Sequence, residues 1–175
     1  MKTVVFNMSK NQRSAIKAGL IFLLSAILLS SFCSVSAQSK YVLKYSDLAD
    51  SLSAVYGIPA AVMLGIAIIE SSSGTSRNCK LLNNHFGIVG RNNLLKKRGI
   101  RTRYKQYEDV TSSYVDFCRL MTTKKFYSRL KDNMDYKLWI DAISRAKYSE
   151  VPVVWKERIL SAIRRNKLSV PRKTD

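Results

Sequence analysis

The stretch IPAAVMLGIAIIES, residues 58–71, decides the fold of this chain. Its apolar side chains lie on every side of a helix with Pro59 in the first turn, which predicts a buried central helix. The apolar run ends on one carboxylate, Glu70, and the sequence SSSGTS that follows at residues 71–76 predicts that the helix stops there. The sequence therefore places a single charged side chain at the end of its most apolar helix.

Four further segments have the apolar periodicity of helices: residues 45–57, 109–122, 134–146 and 151–168. Ser46 is the expected N-cap of the first of them, and Val55 and Leu138 are expected core positions. The alternating sequence RTRYKQY, residues 101–107, predicts a short strand and with it a small hairpin. The predicted fold is mainly α, with a small β-hairpin lobe and no second domain.

The N-terminal residues 1–37 have the pattern of a secretory signal peptide. Positive charges precede an apolar core at residues 18–32, and small residues occupy the positions before a cleavage site. We expect cleavage after Ala37, which leaves one domain at residues 38–175 with its core at about 45–168. The protein is then exported to the periplasm or the cell envelope. Retention of the segment as a membrane anchor is the alternative.

The charge of the chain is strongly positive. It has 30 Lys and Arg against 12 Asp and Glu, a formal net charge of +18 at pH 7. In an exported protein this charge favours an anionic partner, either cell-wall polymer or a membrane surface. No nucleic-acid-binding signature is present, so we expect no nucleic-acid partner. Transient contact with the membrane or with an envelope protein stays open, and the sequence does not indicate an oligomeric state.

The histidine and cysteine content argues against a metal site. The chain contains one histidine, His85, and no CxxC spacing, so we expect no metal and no cofactor. Cys79 and Cys118 both remain in the predicted mature domain. An oxidising compartment permits a disulfide between them, and two buried thiols are the alternative.

Glu70 is the candidate catalytic residue. Ile68 and Ile69 precede it, and burial beside such side chains raises the pKa of a carboxyl group. The carbonyl end of the helix acts in the same direction. A carboxyl that stays protonated at neutral pH is what a general acid in glycoside cleavage requires. A solvated glutamate at a helix end is the alternative interpretation.

Two sequence blocks carry a resemblance to a known family. GIPAAVMLGIAIIESSSGTS at residues 57–76, followed by NNHFGIVG at residues 83–90, resembles the bacterial glucosaminidase domain of glycoside hydrolase family 73. YKQYEDVTSSYVDF at residues 104–117 and DYKLWIDAISRAKYS at residues 135–149 resemble later parts of the same domain. The similarity extends over residues 45–168, nearly the whole predicted mature chain.

The resemblance implies a lysozyme-like α fold and an exported peptidoglycan hydrolase that cleaves β-1,4 bonds next to N-acetylglucosamine. Glu70 would be the proton donor. Substrate contacts are implied for five residues: Ser71, Asn84, Phe86, Tyr107 and Tyr148. Tyr148 would lie beside the cleft and Tyr107 would stack on a sugar ring. Phe86 as a core residue and Asn84 as a loop-stabilising residue are the alternatives.

The resemblance to glycoside hydrolase family 73 fails at one point. The family commonly has a second carboxylate in its β lobe, but residues 91–106 of this chain contain no acid. Glu108 and Asp109 are the nearest substitutes for the second acid. Three outcomes stay open: hydrolysis with help from the N-acetyl group of the substrate, lytic transglycosylation by the muramyl 6-hydroxyl, or peptidoglycan binding without cleavage.

Overall fold

A computed structural model describes residues 40–169 of the 175-residue chain. The predicted signal peptide at residues 1–37 and its cleavage site lie outside the described residues. The helices of the described part are α1 (residues 40–56), α2 (Ala60–Ser71), α3 (Arg77–Leu82), α4 (Leu94–Arg98), α5 (Val110–Thr122), α6 (Tyr127–Leu130), α7 (Tyr136–Arg145) and α8 (Pro152–Arg165). The predicted mainly α fold is confirmed. In this part of the chain, no helix is both long enough and apolar enough to cross a membrane.

Helix α2 is the centre of the core, as its all-round apolar sequence predicts. Its residues from Ala61 to Ile68 are all buried, and it packs against α7 and α8. The contact with α8 is close at Gly65, where an added Cβ would lie 2.6 Å from Cγ1 of Ile163. A larger residue at this position would therefore push the two helices apart.

The other helices follow the predicted pattern, with three local differences. Ser46 lies inside α1 and is not its N-cap, because the helix already includes residue 40. Val55 is 70% exposed and Leu138 is 47% exposed. The buried face of α7 is formed by Trp139, Ile140 and Ile143, with Leu138 beside it.

The predicted β-hairpin is not formed. In residues 40–169 the pairing is a single antiparallel bridge between Val89 and Tyr104. Backbone hydrogen bonds join the two segments at this bridge: the N–H of Gly90 donates to the carbonyl of Arg103 at 3.0 Å, and that of Lys105 donates to the carbonyl of Ile88 at 2.8 Å. Nδ2 of Asn92 donates to the carbonyls of Thr102 and Tyr104, so a side-chain amide also holds the segment that was predicted as a strand.

Cys79 and Cys118 are both buried free thiols. Sγ of Cys118 lies 3.4 Å from Sδ of Met63 in the core. Burial raises the pKa of Cys79 to about 11 and that of Cys118 to about 12. Both side chains are therefore packed, protonated thiols, and the disulfide that the sequence left open is not formed.

His85 is buried between α1 and α5. Its Nδ1 is hydrogen-bonded with the hydroxyl of Tyr41, and its backbone N–H donates to Oγ of Ser113 at 3.0 Å. Burial, together with the nearby charge of Lys44, lowers the pKa of His85 to about 4. The imidazole is therefore neutral in the folded protein at neutral pH.

We expect His85 to make the fold less stable in mild acid. The unfolded chain takes up a proton on this residue near pH 6.5, but the folded chain does so only near pH 4. The free energy of unfolding should therefore fall as the pH drops from about 6.5 towards 4. Urea denaturation of the wild type and of His85→Gln measures this, and the pH dependence should be flatter in the variant. Parallel curves for the two proteins would contradict the assignment.

Candidate active site

Glu70 lies in the last turn of α2, where the backbone turns away from the helix. Oγ of Ser71 donates to the carbonyl of Ala67 at 2.6 Å and accepts from the N–H of Gly74 at 2.8 Å. Ser72 and Ser73 have left-handed backbone angles, with φ of 51° and 55°. The serine-rich sequence therefore stops the helix directly after the acid, as predicted, and α2 ends with Glu70 half-buried.

The Glu70 carboxyl has a hydrogen-bond donor at one oxygen and a glycine beside the other. Nε1 of Trp155, on α8, donates to Oε1 at 2.7 Å. On the other oxygen, an added Cβ at Gly87 would lie 3.1 Å from Oε2, and Gly87 has a left-handed φ of 67°. A side chain at residue 87 would be strained by the backbone angle and would crowd the carboxyl.

Burial is the main influence on the pKa of Glu70 and raises it. The hydrogen bond from Trp155 and the charge of Arg158 act in the opposite direction but do not cancel the effect of burial. The result is a carboxyl that keeps its proton to higher pH than an ordinary glutamate. It is also hydrogen-bonded in one orientation, which suits proton donation to a bound group.

A cleft of about 550 Å³ opens beside Glu70. Three segments form its walls: the end of α2, residues 86–89 with their bridge partner at 103–104, and the loop at 148–151. The hydroxyl of Tyr148 donates to the carbonyl of Phe86 at 2.7 Å, which ties two of these walls together. Burial and the negative charge of Glu70 raise the pKa of Tyr148.

The sequence and the fold were compared with known proteins. Residues 46–168 match the family model for glucosaminidases, described as mannosyl-glycoprotein endo-beta-N-acetylglucosaminidase. The chain belongs to the glucosaminidase family. No curated protein matches it in sequence.

Solved structures with the same fold agree with this family. The catalytic domain of the autolysin Auto from Listeria monocytogenes has a TM-score of 0.62 and 17% identity, covering 95% of this chain and 98% of that one. A glycoside hydrolase domain of FlgJ from Salmonella typhimurium has a TM-score of 0.59 and 18% identity, covering 74% and 97%. A chain from a type VI secretion effector-immunity complex of Pseudomonas protegens has a TM-score of 0.55 and 18% identity, covering 75% and 94%.

Asn84 and Phe86 stabilise the wall of this glucosaminidase cleft. Nδ2 of Asn84 donates to the carbonyls of Ile88 and Lys105, and its Oδ1 accepts from the N–H groups of Phe86 and Ile88. The ring of Phe86 is buried and stacked on Phe117, with centroids 4.3 Å apart. The substrate contacts predicted for both side chains are therefore corrected: Asn84 has no free hydrogen-bonding group, and Phe86 is a core residue whose backbone borders the cleft.

Ser71 and Tyr107 also lie outside the cleft. Ser71 is fully buried and uses its hydroxyl to end α2. Tyr107 is 7% exposed, and its hydroxyl donates to Oδ2 of Asp116 at 2.7 Å. The ring that borders the cleft is that of Tyr104, three residues earlier. The predicted stacking residue is thus wrong, because Tyr107 points into the fold and Tyr104 lies on the cleft side.

The two predicted substitutes for a second acid do not line the cleft. Asp109 is the N-cap of α5 and accepts from the N–H of Ser112 at 2.7 Å, which lowers its pKa. Glu108 is exposed beside it. Among the described residues that border the cleft, Glu150 is the carboxylate that accompanies Glu70. Sequence reasoning missed Glu150, although its position two residues after Tyr148 was a usable signal.

No group of three or more His, Cys, Asp or Glu side chains within residues 40–169 is arranged to hold a metal ion.

We expect Trp155→Phe to move the alkaline limb of the pH–activity profile to higher pH. The substitution keeps a large ring but removes the donor that favours ionised Glu70, so the pKa of Glu70 should rise further. The measurement is the rate of glycan cleavage across the pH range. Trp139→Phe is the matched control, because its indole N–H donates to the carbonyl of Asn133, away from the cleft. An unmoved limb in Trp155→Phe, or an equal movement in both variants, would contradict this role.

Proposed function

We propose that this glucosaminidase is an exported peptidoglycan hydrolase that cleaves β-1,4 bonds next to N-acetylglucosamine, with Glu70 as general acid. The observation that carries the proposal is the carboxyl of Glu70, half-buried beside an open cleft, with a raised pKa. Two of its structural neighbours support the substrate class, since one is a glycoside hydrolase domain and one is the catalytic domain of an autolysin.

The proposed reaction begins with proton transfer from Glu70 to the glycosidic oxygen. Burial raises the pKa of Glu70 and so favours the protonated carboxyl, and Trp155 fixes the orientation of the donor. Because Gly87 has no side chain, the second carboxyl oxygen stays uncrowded on the cleft side. Loss of the leaving oxygen then generates positive charge at the anomeric carbon, as in glycoside hydrolysis generally.

The basic residues at 91–105 favour an anionic polymer over a neutral one. This segment contains seven cations and no acid, and Arg103 borders the cleft itself. Peptidoglycan carries carboxylates on its stem peptides and on its lactyl groups, which such a surface would attract. The export that this substrate requires depends on the predicted signal at residues 1–37.

We expect Glu70→Gln to lose cleavage of isolated sacculi by at least about 100-fold, the lower range for loss of a general acid. The full chain is expressed with its own N-terminal segment, and the soluble fragments are identified by mass spectrometry. Glu157→Gln is the matched control, since Glu157 is exposed on α8 and does not border the cleft.

The end group of the fragments separates the competing reactions. A reducing N-acetylglucosamine end supports the proposal, and an anhydro-muramyl end would replace it with lytic transglycosylation. Sacculus binding without fragments from the wild type would make the protein a binding module instead.

A further inference from the structure

Glu150 is a second carboxylate in the cleft of Glu70. It lies in the loop between α7 and α8, and its side chain is 89% exposed to solvent. The loop is held on both sides of it. Tyr148 is bonded to the carbonyl of Phe86, and the N–H of Val151 donates to Oγ of Ser149 at 3.3 Å. Helix α8 begins directly afterwards, so Glu150 has a defined place on the cleft wall.

The same short stretch of chain also fixes Glu70. Trp155, the donor to Glu70, lies five residues after Glu150 and one turn into α8. The rings of Tyr148 and Trp155 pack together with centroids 5.4 Å apart. Residues 148–155 therefore carry one of the two cleft carboxylates and orient the other.

Arg103 faces Glu150 at the cleft. One guanidinium nitrogen lies 3.8 Å from Oε1 of Glu150, and the arginine side chain is 67% exposed. An exposed ion pair at such a distance contributes between about 0 and 1 kcal/mol. A polymer entering the cleft therefore separates the pair at little cost, which frees the carboxylate of Glu150 and leaves Arg103 for an anionic group of the substrate.

We propose that Glu150 is the general base of this glucosaminidase and activates the attacking water. The assignment rests on the proposed function and extends it by naming the second acid. Glu150 accepts a proton from water while the water oxygen bonds to the anomeric carbon. The bond from that carbon to the leaving oxygen breaks, and the leaving oxygen takes the proton of Glu70. This is direct displacement by water, which inverts the anomeric configuration.

The test compares Glu150→Gln with Glu108→Gln in the full chain on isolated sacculi. Both substitutions remove one exposed carboxylate and keep the side-chain shape, but Glu108 lies outside the cleft. We expect Glu150→Gln to lose at least about 100-fold in rate with sacculus binding retained. Glu108→Gln should behave as the wild type.

Chemical rescue and product stereochemistry give two further readouts. Azide needs no general base, so it should restore turnover of Glu150→Ala and form a glycosyl azide. The first product of the wild type should carry the inverted anomer, read by NMR on a short glycan. A retained anomer, or no rescue by azide, would overturn the assignment.

The inference and the proposed function fail in different ways. If the wild type cleaves, Glu70→Gln does not, and Glu150→Gln keeps the wild-type rate, then the proposed function stands and the role of Glu150 is wrong. Loss of sacculus binding together with rate in Glu150→Gln would make it a binding residue and overturn the base assignment. A wild type that releases no fragments would overturn both.

Discussion

The hydrogen bond from Trp155 to Glu70 is the interaction on which the rest of the site depends. It joins the last turn of α2 to α8 and sets the orientation of the carboxyl, and together with the charge of Arg158 it acts against the effect of burial on the pKa of Glu70. The donor and this charge limit how far burial raises the pKa of Glu70, but they do not cancel the rise.

Two structural features keep the Glu70 carboxyl accessible to a substrate. The serine-rich turn after Glu70 ends α2 before the helix can cover the acid. Opposite it, Gly87 occupies a left-handed position where a side chain would meet the carboxyl. Asn84 then holds the backbone around Gly87 with bonds from both ends of its amide. The open space beside Glu70 is therefore maintained by backbone geometry and by a buried amide behind the cleft wall.

The sequence predicted those features of the fold and of the site that depend on local pattern. Helix α2 and its end at Glu70 follow from an all-round apolar run and a cluster of turn-forming residues. Alternation alone predicted a hairpin, but within residues 40–169 regular pairing is limited to the bridge between Val89 and Tyr104, and the amide of Asn92 binds two carbonyls of the same segment. Tyr107 was predicted to stack on a sugar ring, in place of Tyr104, because the sequence does not show which of two nearby tyrosine side chains faces the core. Glu150 was missed because its place on the wall of the Glu70 cleft depends on how the loop between α7 and α8 folds against residues 86–89.

Burial raises the pKa of Glu70 beside an open cleft, and the role of Glu70 as the acid depends on this shift. The most direct measurement is a pH titration of the side-chain carboxyl carbons by NMR in protein with ¹³C-labelled glutamate. The chain contains four glutamates, and Glu70→Gln assigns the signal by its loss. We expect Glu70 to titrate above the ordinary glutamate value of about 4.3. Titration at or below that value would show an ionised, solvated carboxylate and would contradict its role as the acid.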